Sequence, residues 1–277
     1  MVVSRAVLVT GCSSGIGRAT AERLSVAGWK VYASARRIES IEGCEGCQLL
    51  QLDVTDEASM RAAVKRIEQE EGAVGSLVNN AGYSQSGAVE SVSIDDARRQ
   101  FETNLFGLAR LTQLVLPGMR EQGWGRIVNV SSMGGRLTFP GGGWYHASKH
   151  AVEALSDALR FETQGFGIDV VVIQPGLIRT GFSDAAVGSI EQEDGPYARF
   201  NAAVGAATAG AYENSLARRL GGGPETVARA IEKAVTAKRP RTRYRVTASA
   251  GLFMTLRRLL PDRAWDALVG RTYPKPP

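Results

Sequence analysis

Ala6-Val7-Leu8-Val9-Thr10-Gly11-Cys12-Ser13-Ser14-Gly15-Ile16-Gly17 stands near the amino terminus and runs straight into Arg18-Ala19-Thr20-Ala21-Glu22-Arg23-Leu24. The apolar run that ends at Thr10 reads as a strand buried on both faces, and the segment after Gly17 reads as a helix. Between them the glycines permit positive φ and a close approach of the backbone to a ligand. The helix start offers unpaired N–H donors and the positive end of the helix dipole, which together suit a pyrophosphate. The spacing is Gly-x-x-x-Gly-x-Gly, not the Gly-x-Gly-x-x-Gly of the commoner dinucleotide fingerprint.

Outward from this turn, further strand-like runs recur at 31–35, 49–52, 77–79, 127–130, 170–173 and 244–246, most of them continuously apolar. Helical patterns lie at about 15–27, 57–71, 96–119, 145–163 and 224–237. The alternation predicts an α/β fold, a doubly wound, Rossmann-like parallel sheet of about seven strands with helices on both faces and right-handed crossovers. Ligands of such sheets bind at the carboxyl ends of the strands. The motifs fall at those ends: Gly11 to Gly17 after the first strand, Asp53-Val54 after the third and Asn79-Asn80-Ala81-Gly82 after the fourth. Ser131-Ser132 follow the fifth and Pro175-Gly176 end the sixth.

The chain has 277 residues and no polar linker until well past residue 180, which predicts one domain over 1–277. An apolar fraction of 44% is enough for a buried core. No apolar run approaches the ~20 residues of a membrane span. Met1-Val2-Val3-Ser4-Arg5 leads directly into the first strand and leaves no room for a cleavable signal, so a cytoplasmic protein is expected. The odd cysteine count, Cys12, Cys44 and Cys47, suits a reducing compartment. Cys44-x-x-Cys47 reads as a loop with incidental thiols, because two histidines, His146 and His150, and no second cysteine pair leave a zinc site short of ligands. No metal is expected. The net charge of +5 divides into +10 over 216–277 and −5 over the rest. That basic segment lacks the interleaved aromatics of a nucleic-acid module, so no nucleic-acid partner is expected.

Tyr145 and Lys149 are four residues apart on the helical pattern at 145–163, which puts phenol and ammonium on one face. A free tyrosine titrates near pH ~10, and an adjacent fixed ammonium favours the phenolate. Such a pair can give or take a proton near neutrality. Ser132 lies thirteen positions before the tyrosine.

Thr10-Gly11-Cys12-Ser13-Ser14-Gly15-Ile16-Gly17, Asn79-Asn80-Ala81-Gly82, Asn104, Ser132, Tyr145-x-x-x-Lys149 and Pro175-Gly176 together resemble the motifs of the short-chain dehydrogenase/reductase family, in its order and at its spacings. The likeness covers roughly residues 5 to 180 and is nearest the 17β-hydroxysteroid and retinol dehydrogenase branch. It implies catalysis by Asn104, Ser132, Tyr145 and Lys149. Tyr145 would protonate a carbonyl oxygen as hydride arrives, or deprotonate an alcohol in reverse. Ser132 would hydrogen-bond that oxygen, Lys149 would also bind the nicotinamide ribose, and Asn104 would hold a water in the proton path. The thirteen-residue spacing selects Ser132 over Ser131. His146, a helix neighbour of Tyr145, points about 100° away and reads as packing.

The resemblance also implies a cofactor site. The turn Gly11, Ser13, Ser14, Gly15, Ile16 and Gly17 takes the pyrophosphate. Asp53 and Val54 hold the adenine, Asn80, Ala81 and Gly82 flank the adenine ribose, and Pro175, Gly176, Ile178 and Thr180 meet the nicotinamide end. Asn79 reads as structural. After the second strand the run is Ala33-Ser34-Ala35-Arg36-Arg37, without the acid that an NAD enzyme places there. A guanidinium binds a 2′-phosphate bidentately, so NADP is favoured, with Arg36 first and Ser13 and Arg37 helping.

The Ala- and Gly-rich segment at about 181–223 shows weak periodicity and is expected to act as a substrate loop. Beyond it a basic extension at about 248–277 carries Leu252, Phe253, Leu256, Leu259 and Leu260 as one stripe, and Trp265, Leu268 and Val269 as a second after Pro261. These stripes suit either a pocket cover or subunit contact, or peripheral contact with a membrane surface. The expected activity is NADP-dependent interconversion of a lipophilic, steroid- or retinoid-like alcohol and its ketone. The alternatives are a 3-oxoacyl carrier-protein reductase, which usually ends soon after the last strand, and a non-catalytic NADP-sensing regulator. A homodimer or homotetramer built on the helices at 96–119 and 145–163 is expected.

Overall fold

The computed structural model describes residues 3–190, 195–210 and 219–275. Residues 191–194 and 211–218 of the expected substrate loop, and the last two of the basic extension, lie outside the described residues. Seven strands form one parallel sheet: β1 (Ala6–Thr10), β2 (Lys30–Ala35), β3 (Gln48–Gln51), β4 (Ser76–Asn79), β5 (Gly125–Val130), β6 (Ile168–Pro175) and β7 (Arg243–Val246). Their order is β3-β2-β1-β4-β5-β6-β7, so the winding reverses between β1 and β4. A crevice for a ligand opens at that reversal.

The alternation of side chains along each strand explains why both faces are covered. In β1, Val7 and Val9 enter one core with Leu24, Val227 and Ile231, under helices α1 (Gly15–Val26) and α8 (Pro224–Thr236). Ala6 and Leu8 enter the other with Met60, Val64, Leu111 and Val115. Those side chains come from α2 (Glu57–Glu71) and α4 (Leu108–Glu121), and α5 (Gly143–Thr163) packs beside β6 on the same face. Local signals set the helix starts. The Asp56 carboxylate accepts from the Ala58 N–H at 3.0 Å before α2, and Pro224 opens α8 where no N–H is needed.

Three expectations need correction. The helix expected over 96–119 is divided into α3 (Ile94–Phe101), a π-helical turn (Glu102–Gly107) and α4. The widened turn fits a tight contact, since a Cβ on Gly107 would stand 2.2 Å from the Val54 carbonyl oxygen. Single π-turns inside helices often sit at functional sites, and this one carries Asn104. The described part of 181–223 holds two helices, α6 (Phe182–Gly188) and α7 (Ala198–Gly210). Alanine supplies the helix propensity there without an amphipathic pattern. The extension forms α9 (Ala248–Leu259) and α10 (Asp262–Val269), and its apolar residues do not share one face. Met254 and Trp265 are buried with Met133, Leu137 and Ala250, while Leu252 and Leu259 are exposed. Among the described residues no helix is long and apolar enough to cross a membrane.

Candidate active site

A cavity of about 1640 Å³ opens at the carboxyl ends of the strands around the reversal. Its wall takes Gly11, Ser13, Ser14, Gly15 and Ile16 from the first turn, Arg36 from the end of β2, and Asp53 and Val54 after β3. Asn80, Ala81 and Gly82 follow from β4, then Ser132, Tyr145 and Lys149, then Pro175, Gly176, Ile178 and Thr180 after β6. Gly17, Arg37 and Asn104 stand outside that wall.

The glycine turn is shaped for a ligand that approaches main chain. Gly11 and Gly15 have φ of 72° and 56°, the left-handed region that side chains disfavour. A Cβ on Gly17 would lie 2.2 Å from the Gly11 carbonyl oxygen, so the helix start folds tightly onto the turn. The β4 loop clamps it: Thr10 Oγ1 accepts from the N–H groups of Asn80 and Ala81, each at 3.0 Å. Asn80 Nδ2 donates to the Thr10 and Gly11 carbonyls at 2.9 and 3.2 Å. Asn79 is structural, donating to Thr112 on α4 and to Asn129 on the neighbouring strand β5.

These residues fit a dinucleotide. The left-handed glycines of the turn admit a close approach of a pyrophosphate to the main chain, and Asp53 uses one carboxylate oxygen on Thr55, with no described hydrogen bond on the other. Arg36 and Arg37 are exposed, and neither joins an ion pair among the described residues.

The β5 end and α5 build the reactive side. Ser132 Oγ accepts the Gly134 N–H at 3.0 Å, which engages a lone pair and leaves the hydroxyl hydrogen to donate outward. Lys149 is buried, its Nζ donating to the Val130 carbonyl at 2.9 Å and lying 5.9 Å from the Tyr145 ring centre. Burial pushes the Lys149 ammonium down to about 8, with the Glu153 carboxylate opposing. Tyr145 is half-buried, and its ring stands 5.5 Å from that of Phe182. His146 is held down to about 4 by burial, against a contact with the Gly134 carbonyl at 3.2 Å, so it is neutral and packs. Asn104 is 1% exposed. Its amide binds the Tyr83 backbone at both ends, at 3.0 and 2.9 Å, and Ser148 at 3.1 Å.

Several wall residues carry no motif. Tyr83, Arg99 and Glu102 line the cavity, as do Phe139, Phe253 and Trp265. The Phe139 ring stands 5.8 Å from both Phe253 and Trp265, so the extension closes the apolar end of the pocket. Periodicity marked Phe253 and Trp265 as members of stripes, but only the fold brings them to Phe139. Deleting residues 249–277 is therefore predicted to lower the melting temperature and abolish turnover, because it removes Ala250, Met254 and Trp265 from a buried cluster. Thermal melts and a turnover assay check this. A truncated protein that melts like the parent and keeps its activity would restore the membrane reading of the extension.

The sequence model of the family described as short chain dehydrogenase matches residues 5–189. The NADPH-dependent 3-dehydrocapnine reductase of Ornithobacterium rhinotracheale is 35% identical over 276 residues, 95% of this chain and 95% of that protein. Human 17-beta-hydroxysteroid dehydrogenase type 6 is 33% identical over 285 residues, 98% of this chain and 89% of that protein. Among solved structures, a short-chain dehydrogenase from Streptomyces avermitilis aligns with a TM-score of 0.80 at 34% identity, covering 97% of each chain.

Proposed function

Because the chain belongs to the short-chain dehydrogenase/reductase family and is an oxidoreductase of that kind, we propose that it is NADP-dependent and interconverts a lipophilic secondary alcohol and its ketone. The observation that carries this reading is one continuous cavity: Arg36 and the glycine turn at one end, Ser132, Tyr145 and Lys149 within, and Phe139, Phe182, Phe253 and Trp265 beyond. Bound there, the cofactor supplies or takes up hydride at the carbonyl carbon. In reduction Tyr145 gives its hydroxyl proton to the carbonyl oxygen, and in oxidation its phenolate takes that proton back. Ser132 donates its hydrogen to the same oxygen and steadies the growing charge. Lys149, fixed by the Val130 carbonyl, would bind the nicotinamide ribose and by its charge favour the Tyr145 phenolate. Asn104 fixes the Tyr83 loop and holds a water on the proton path.

At the other end Asp53 and Val54 hold the adenine, and Arg36 with Ser13 and Arg37 holds the 2′-phosphate. The relative named for a 17-beta-hydroxysteroid supports a steroid-like ligand against the aromatic wall. The helices α6 and α7 act as its lid. A panel of hydrophobic and polar ketones and alcohols, followed by NADPH absorbance, tests the reading. Turnover of polar substrates alone would overturn the lipophilic assignment, and NADPH binding without any turnover would favour a sensor.

The protein works as a homodimer or homotetramer through the helical layer of α3, α4 and α5. Phe161 on α5 is 74% exposed and Phe106 in the π-helical turn 54% exposed, large apolar surfaces that pairing would cover. Light scattering at micromolar concentration is expected to give the mass of a dimer or tetramer, and Phe161→Arg to reduce it. A monomeric parent protein overturns the assembly.

A further inference from the structure

We propose that Glu153 is a positioning residue for this centre: its carboxylate fastens the serine turn, the end of β6 and β7 to the helix that carries Tyr145 and Lys149. The inference rests on the function proposed above. Glu153 lies one helical turn beyond Lys149 and two beyond Tyr145, on the same inward face of α5. It is 2% exposed, and a carboxylate buried to that degree is tolerated only when its oxygens are paired.

The pairing is complete and comes from three separate segments. Glu153 Oε2 accepts from Arg136 Nε at 3.1 Å and from Arg243 Nε at 2.9 Å, and Arg136 Nη2 stands 2.9 Å away in the same ion pair. Oε1 accepts from Gln174 Nε2 at 2.8 Å. Arg136 directly follows the turn Met133–Gly135 that Ser132 caps. Gln174 precedes Pro175-Gly176 at the expected nicotinamide end, and Arg243 opens β7. The serine turn has no slack against the helix at this level. A Cβ on Gly135 would stand 2.9 Å from Glu153 Cγ and 2.9 Å from the Lys149 carbonyl oxygen. One carboxylate thus sets the spacing between the serine, the lysine and the β6 end.

Charge adds to geometry. Glu153 is the neighbour that raises the Lys149 titration against burial. The other charged groups of the cluster, Arg136 and Arg243 from the facing elements and Asp157 one turn further along α5, pair with one another or with Glu153. His146 is neutral, and His150 is exposed.

Glu153→Gln in the full chain is the test. The substitution keeps the side chain's size and one carbonyl for the arginines. Once the Gln174 amide turns over, the new amide donates to Gln174 Oε1, so the link between the two side chains is kept. Without the carboxylate the Lys149 ammonium gives up its proton at lower pH, and reduction that needs it fails sooner as pH rises. The expected result is a loss of kcat of roughly ten-fold with KM for NADPH little changed, and an alkaline limb moved acidward by about half a unit or more. Asp157→Asn, which touches the same arginines but neither Gln174 nor Lys149, leaves the limb in place. Equal movement in both variants, or a fall in melting temperature and kcat with the limb unmoved, overturns the proposal. Titration of the Lys149 ammonium by NMR reads the same shift without turnover. A parent enzyme inactive on every substrate therefore counts against the proposed function, and an unshifted Lys149 counts against Glu153.

Discussion

Tyr145→Phe is expected to lower kcat/KM by roughly 10²–10⁴-fold, the contribution of a positioned general acid, and to leave NADPH binding nearly unchanged. The substitution removes one oxygen and nothing else. The ring keeps its contacts with Phe182 and His146, at 5.5 and 5.6 Å between centres. Lys149 stays anchored on the Val130 carbonyl, and Ser132 keeps the Gly134 N–H. Transition-state stabilisation is lost while the ground-state complex persists, which appears as a fall in kcat with a nearly constant dissociation constant for NADPH. Steady-state rates and a fluorescence titration of NADPH measure the two quantities. Activity within a few-fold of the parent would remove Tyr145 from the reaction, and lost NADPH binding would give it a structural role instead.

The sheet was legible because most of its strands hold short apolar runs, such as Ala6–Val9 and Val170–Ile173, and the alternation of Val7 and Val9 with Ala6 and Leu8 needs a cover on each face. The glycine turn, Asp53-Val54, Asn80-Ala81-Gly82, Ser131-Ser132 and Pro175-Gly176 were legible because each follows a strand end, which a parallel sheet brings to one edge, whereas Tyr145 and Lys149 were marked by their helical spacing. What stayed hidden depends on single residues or on distance. A helical pattern over 96–119 does not register the extra residue of the π-helical turn, which follows from the meeting of Gly107 with the Val54 carbonyl. The helix over 198–210 is alanine-rich, so propensity forms it where periodicity is silent. The ion cluster at Glu153 joins positions 136, 174 and 243, which no local pattern relates. The stripes of the extension suit either a pocket cover or a membrane surface, and only the meeting of Phe139 with Phe253 and Trp265 names the residues that a cover uses.

Arg36→Asp is expected to weaken NADPH use and bring NADH forward, lowering the ratio of kcat/KM for NADPH over NADH by roughly ten- to a hundred-fold, the range of one or two charge-assisted hydrogen bonds. The end of β2 lies beside the glycine turn because β1 and β2 pair in parallel and the Cys12 N–H donates to the Ser34 carbonyl at 2.9 Å. On the proposed reading, the adenine ribose of a dinucleotide laid across the turn passes beside Arg36. Its backbone is held independently of its guanidinium, through Gln51 Nε2 donating to the Arg36 carbonyl at 3.2 Å, so the change leaves the loop in place. An attractive charge becomes a repulsive one facing the 2′-phosphate, while the same carboxylate can accept from the 2′-hydroxyl of NADH. Arg37 remains as a second cation, which caps the loss. Because both arginines are exposed, the preference of the parent should itself shrink as salt is raised. Paired kinetics with the two cofactors at low and high ionic strength measure this, and an unchanged ratio in the variant would mean that the 2′-phosphate is read elsewhere.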